Sequence, residues 1–148
     1  MSLTDPLAFK VLNEIGIIGQ LASHGLTQAL PRGMTQAQFG VLNHFVRLGH
    51  DFETPGQLAS AFQVSRPTMT STLSRLKRAG LVTIVPDPED GRGKRVAITA
   101  KGRAMREDCI VRLAGPLEAL NANVPQELLE ALLPRLTELR KILDQMRD

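Results

Sequence analysis

Between Ser65 and Thr99 the chain changes its periodicity twice within thirty-five residues. From Ser65 to Arg78, Met69, Thr72, Leu73 and Leu76 fall on one side of a 100° wheel, and the other side is polar. Gly80 ends this helix. Leu81 to Val85 is β-rich, Pro86 to Gly93 is turn chemistry, and Arg95 to Ile98 is β-rich again. That order predicts a helix feeding a hairpin with a long tip.

The flanking segments read as helices. Asp5-Pro6 is a start signal, Asp5 being the expected cap, and Leu7, Val11, Ile15, Ile18 and Leu21 then recur at helical spacing until Leu30-Pro31-Arg32-Gly33. Gly16 and Gly19 each cost that helix about 1 kcal/mol relative to Ala, or else admit a close neighbouring helix. Thr35-Gln-Ala-Gln38 is a capping box for a second helix carrying Phe39, Leu42 and Val46 and ending near Gly49. After a connector at Asp51 to Glu53, Thr54-Pro55-Gly56-Gln57 opens a short third helix, Gln63-Val64 turn, and Ser65 caps the fourth. Thr99 caps a fifth helix, expected to run to about Ala122 with a bend at Gly115-Pro116. A loop at residues 121–125 precedes a leucine-rich last helix that Pro134 should kink. The expected fold is mainly α with a small β-hairpin: a winged helix-turn-helix, read as one domain over 1–148. Its head covers about 35–99, and N- and C-terminal dimerisation helices cover about 5–30 and 100–148.

Charge is unevenly placed. The net charge is +3, yet Ser65 to Arg106 holds ten Lys/Arg against three Asp/Glu, leaving the remainder acidic. A basic centre of this kind is the electrostatic footprint of a nucleic-acid face. No apolar run is long enough for a membrane span, and the N-terminus lacks the pattern of a signal peptide, so a cytoplasmic protein is expected.

A helix that enters the major groove needs short side chains near its start, so that the backbone approaches the bases, and longer donors beyond. Pro67, Thr68, Thr70, Ser71, Ser74 and Arg75 meet the first need and begin the second, while Lys77 and Arg78 can reach phosphates. Ser65 and Arg66 belong to the helix start, whose free amides can also receive a phosphate. A merely solvated helix face is usually rich in Glu and Lys, whereas Ser65 to Ala79 contains no acid. At the hairpin tip Arg92, Lys94 and Arg95 can lie along phosphates or in a narrow minor groove, and Asp90 is placed to hold the Arg92 guanidinium.

At this point the segments QLASAFQVSRPTMTSTLSRLKRAGLV and DPEDGRGKRVAITAKG resemble the MarR family of bacterial transcription regulators. The second carries that family's wing signature on Asp90, Arg92, Val96, Ile98 and Thr99, with Gly102 following. The likeness is specific over Thr54 to Gly102 and extends over the rest as helix order. It implies a homodimer with interlocking first, fifth and sixth helices, two winged heads on successive major grooves of a pseudo-palindromic double-stranded operator, and Arg92 in the minor groove. It also implies a response, typically repression relieved by a small aromatic or phenolic effector bound between dimerisation helices and head. His24, Arg32, His44 and Arg47 are the polar candidates for that pocket. Tyr and Trp, common phenolate partners, are absent.

Other classes fit less well. Cys109 is the one cysteine, in the fifth helix beside Asp108 and Glu107, whose charges disfavour a thiolate, so it reads as structural. His24, His44 and His50 are spread over unrelated turns without HxxxH or CxxC spacing, and no metal or other cofactor is expected. No phosphate-cradling loop or nucleophile set suggests an enzyme. The alternative of another class is a winged helix that mediates protein contacts and never meets DNA.

Overall fold

The computed structural model describes residues 4–147; of the expected single span 1–148, residues 1–3 and 148 lie outside them. Among the described residues the order is α1 (Leu7–Ala29), α2 (Gln36–Leu48), α3 (Pro55–Phe62), α4 (Arg66–Arg78), β1 (Val82–Pro86), β2 (Lys94–Ile98), α5 (Ala100–Arg112), α6 (Ala114–Asn123) and α7 (Gln126–Met146).

Local signals set most boundaries. Both halves of the capping boxes form at Thr35/Gln38 and Thr54/Gln57. Ser65 Oγ accepts from the Thr68 amide at 3.2 Å and opens α4. At the other end Gly80 is left-handed (φ 75°). Its amide donates to the Lys77 carbonyl at 2.9 Å, and the Leu81 amide to that of Leu76 at 3.0 Å. This is a Schellman closure, one that a side chain at Gly80 would strain.

Three expectations are corrected. Asp5 does not cap α1: Pro6 is the N-cap, no side-chain cap bond forms, and the Lys10 amide donates to the Pro6 carbonyl at 3.1 Å. The expected fifth helix is two, α5 and α6, parted at Leu113 rather than bent at Gly115. Pro116 has no N–H to offer the Arg112 carbonyl, so the helical ladder fails one turn before it. The expected 121–125 loop shrinks to Val124-Pro125. By contrast α7 stays helical through Pro134.

The hairpin is antiparallel, with Val82 opposite Ile98 and Pro86 opposite Lys94. Glu53 adds a bridge on the far side of β2: its amide donates to the Val96 carbonyl at 2.9 Å, and its carbonyl accepts from Val96 at 2.8 Å. The core lies under this sheet and between α2, α3 and α4. Leu42, Phe45, Leu58, Leu73, Leu76 and Val96 are fully buried in one cluster. Each such side chain contributes roughly 1.5–3 kcal/mol of transfer free energy. α5 is tied to this head. Arg106 Nε and Nη2 donate to Asn43 Oδ1 at 3.3 and 3.1 Å. Thr99 Oγ1 donates to the Gly80 carbonyl at 2.7 Å, and Lys101 Nζ to that of Ala79 at 2.9 Å.

The end helices differ in kind. α1, α6 and α7 have no buried residue, and Leu7, Ile18, Leu21, Leu133, Ile142 and Met146 stand exposed. A Cβ at Gly16 or Gly19 would meet nothing within 4 Å, so neither glycine serves packing inside the protomer.

Candidate nucleic-acid interface

α4 buries Met69, Leu73 and Leu76 and turns its other side outward. Ser65, Arg66, Pro67, Thr68, Thr70, Ser71, Ser74, Arg75 and Arg78 are all exposed. They are not equally free. Ser65 is the cap, and its hydroxyl also donates to Thr68 Oγ1 at 2.8 Å. The Arg66 guanidinium lies over the start of α3, so close that a Cβ on Gly56 would fall 2.6 Å from its Nη2. Thr70, Ser71, Ser74, Arg75 and Arg78 remain as the open polar surface, with short residues on the first turns and cations on the last.

The wing tip is shaped by two short polar turns. Asp87 Oδ1 accepts from the Glu89 amide at 3.0 Å, and Asp90 Oδ1 from the Arg92 amide at 3.1 Å. Backbone bonds from Asp87 to Gly93 and from Gly93 to Asp90, both 2.9 Å, close the loop. The expected Asp90–Arg92 pair is thus corrected: the carboxylate holds the backbone amide and not the guanidinium. Among the described residues the Arg92 guanidinium has no ion-pair partner, and Arg92 and Lys94 are exposed. Lys77, expected to reach phosphates, joins them around a groove of about 200 Å³ between α4 and the wing.

Arg95 departs from expectation. Its guanidinium carbon lies 3.8 Å over the centroid of the Phe52 ring. Its Nε is 3.2 Å from Asp87 Oδ1, within ion-pair range, but the N–H is not aimed at that oxygen and makes no hydrogen bond. The side chain is turned to the protein, and laying it along phosphates would break both contacts.

The four effector candidates are not brought together. His24 is exposed on α1, 3.3 Å from Gln28 Nε2. Arg32 lines a cleft of about 280 Å³ with Met34, Gln38, Arg75, Leu76 and Met105. His44 is buried, its Nε2 2.7 Å from Glu53 Oε2, while His50 Nδ1 is 3.0 Å from Glu53 Oε1. The His44 ring also lies 5.3 Å from that of Phe62, in the wall of a different cleft. Arg47 is exposed, its charge helping Arg147 and Arg140 to lower the pKa of Asp144. Glu53, which ties both imidazoles and bridges β2, has no short-range sequence signal. Cys109 is fully buried, and its thiol pKa is raised first by that burial and then by the Asp108 charge, with Arg112 opposing.

Thr99 and Gly102, from the wing signature, act at the joint behind the interface. Thr99 Oγ1 accepts from the Gly102 amide at 3.0 Å, and Gly102 presses against the Leu81 carbonyl.

Residues 32–93 match the sequence model of the MarR family. The Transcriptional activatory protein BadR of Rhodopseudomonas palustris is 31% identical over 108 residues, which cover 72% of this chain and 60% of BadR. Wild-type MarR from E. coli in its apo form superposes with a TM-score of 0.75 at 28% identity, covering 93% of this chain and 98% of that one. A mutant of E. coli MarR in complex with operator DNA superposes at 0.69, again 28% identical, covering 91% and 99%. By the match through its head, and by its superposition on E. coli MarR over 93% of its length, the chain is similar to the MarR family.

Proposed function

We propose that the protein is a sequence-specific DNA-binding transcriptional regulator, not an enzyme, and that it acts in the cytoplasm as a homodimer on a pseudo-palindromic operator. The observation that carries this reading is the acid-free, exposed face of α4, flanked by Lys77, Arg92 and Lys94 around one groove. Thr70, Ser71, Ser74 and Arg75 are the proposed base-facing set, Arg78 and Lys77 the phosphate contacts, and Arg92 the minor-groove arm. The operator complex of an E. coli MarR mutant supports the assignment by likeness.

Pairing is supported by surface area. The protomer exposes 10642 Å². A folded monomer of this size exposes about 7,500 Å², so about 3,000 Å² is in excess. That suits the large apolar interface of an obligate homodimer. The head is then about 35–99, and α1 with α5 to α7 forms the dimerisation region.

The Arg32 cleft supports a ligand-responsive repressor. It offers a cation, thioether and aliphatic walls, and one wall is Arg75. A small aromatic acid bound there would draw Arg75 away from DNA and lower operator affinity.

The test is selection of genomic duplexes, followed by affinity measured across a salt series. A steep fall with salt is expected, each phosphate contact contributing about one unit of log–log slope. Arg92→Ala should weaken operator binding without lowering the melting temperature. Arg75→Ala should cost roughly 1–3 kcal/mol on the operator and less on random DNA. No binding to any duplex at low salt would leave the protein-contact module as the reading.

A further inference from the structure

Arg95 stands at the root of the wing, spanning two parts of the head. Phe52, under its guanidinium, belongs to the connector between α2 and α3, and the next residue, Glu53, exchanges both backbone bonds with Val96 beside Arg95. Asp87, at its other side, opens the tip: its carboxylate holds the Glu89 amide, and its own amide donates to the Gly93 carbonyl. The Arg95 and Asp87 side chains are 22% and 16% exposed, much more enclosed than a solvated surface pair. One guanidinium therefore reaches from the connector to the first residue of the turn that carries Arg92.

We propose that Arg95 is a positioning residue: with Phe52 and Asp87 it sets the angle at which the wing presents Arg92 and Lys94, and it does not itself touch the duplex. This rests on the DNA-binding reading above. A two-stranded ribbon is marginal by itself and swings unless its root is fixed. Backbone bonds at Glu53 and Val96 fix one point of β2, which leaves rotation about that point. The stack on Phe52 and the pair with Asp87 supply fixing points to either side. Arginine suits this work because its planar, delocalised charge stacks on an aromatic face and still lies within ion-pair range of a carboxylate at its edge; the lysine ammonium has no such plane. Neutralised by Asp87, Arg95 drops out of the cations available to phosphates, and the wing's contribution is that of Arg92 and Lys94.

Two variants that conserve charge test this in the full-length protein: Arg95→Lys and Phe52→Leu, each also combined with Arg92→Ala. Affinity is measured on the selected operator and on a random duplex across a salt series, with thermal unfolding as the folding control. Positioning predicts that each variant loses about three- to tenfold in operator affinity. Random-duplex affinity should barely change, and the loss should shrink in the Arg92→Ala background to the part that Lys94 carries. A phosphate contact predicts the reverse: Arg95→Lys binds nearly as the wild type, Phe52→Leu is silent, and any loss persists in full without Arg92. Any of those results overturns the proposal. If Arg95→Lys fails to fold, Phe52→Leu alone decides between the two. Should the wild type bind no duplex, the DNA reading falls together with this one; should it bind while the variants behave as phosphate contacts, this one falls alone.

Discussion

At Gly102 a single missing methyl group determines how α5 meets the wing. A Cβ there would lie 2.1 Å from the Leu81 carbonyl oxygen and 2.8 Å from Ile98 Cγ1. The Leu81 oxygen cannot yield cheaply, since it accepts from the Thr99 amide at 3.1 Å. Gly102→Ala gains about 1 kcal/mol of helix propensity. Moving the first turn of α5 off the sheet costs more, by the overpacking range of roughly 1–3 kcal/mol and upward. A net loss is expected, seen as a melting temperature lower by several degrees; an unchanged or raised value would show that α5 slides freely over Leu81. Residue by residue, the sequence was a fair guide to which side of α4 faces outward, because a wheel needs only spacing. It was a poor guide to where a long cation points. Arg92 and Arg95 are three residues apart in one basic run, yet one guanidinium is free and the other is held by Phe52 and Asp87. Those partners come from 43 and 8 residues away, and no local pattern announces them. His44 is a like case, its partner Glu53 lying across a turn with no local pattern to announce it.

Among the elements, those opened by a side chain three residues before a free amide were legible. Thr35, Thr54, Ser65 and Thr99 all cap as expected, since cap and amide are fixed by i,i+3 geometry. Ends governed by missing donors were harder. Pro6 begins α1 with no side-chain help, and Pro116 divides α5 from α6 a turn upstream of itself. Thr99 is the cap with most attached to it. Its hydroxyl accepts from the Gly102 amide and donates to the Gly80 carbonyl, joining the end of α4 to the start of α5. Thr99→Ala should cost about 2 kcal/mol, one for the cap and one for the second bond. Thr99→Ser should recover most of it. Equal denaturation midpoints for the Ala and Ser variants would show that neither bond of the hydroxyl contributes.

For the whole molecule the division is between a head with a closed core and end helices without one. That division was visible as an excess of leucine near the C-terminus, though not its extent, because exposure is a property of the assembled chain. Removing residues from Gln126 onward should leave a monomer by light scattering. A truncated chain that still pairs would move the interface to α1 and α6. On the proposed pairing, the lack of any buried residue in α1, α6 and α7 has a consequence for gene dosage. Below the dissociation constant of the pair, the two-headed species rises as the square of chain concentration. Halving synthesis then cuts it by about fourfold. Abundance itself becomes an input to the promoter, acting before any ligand arrives.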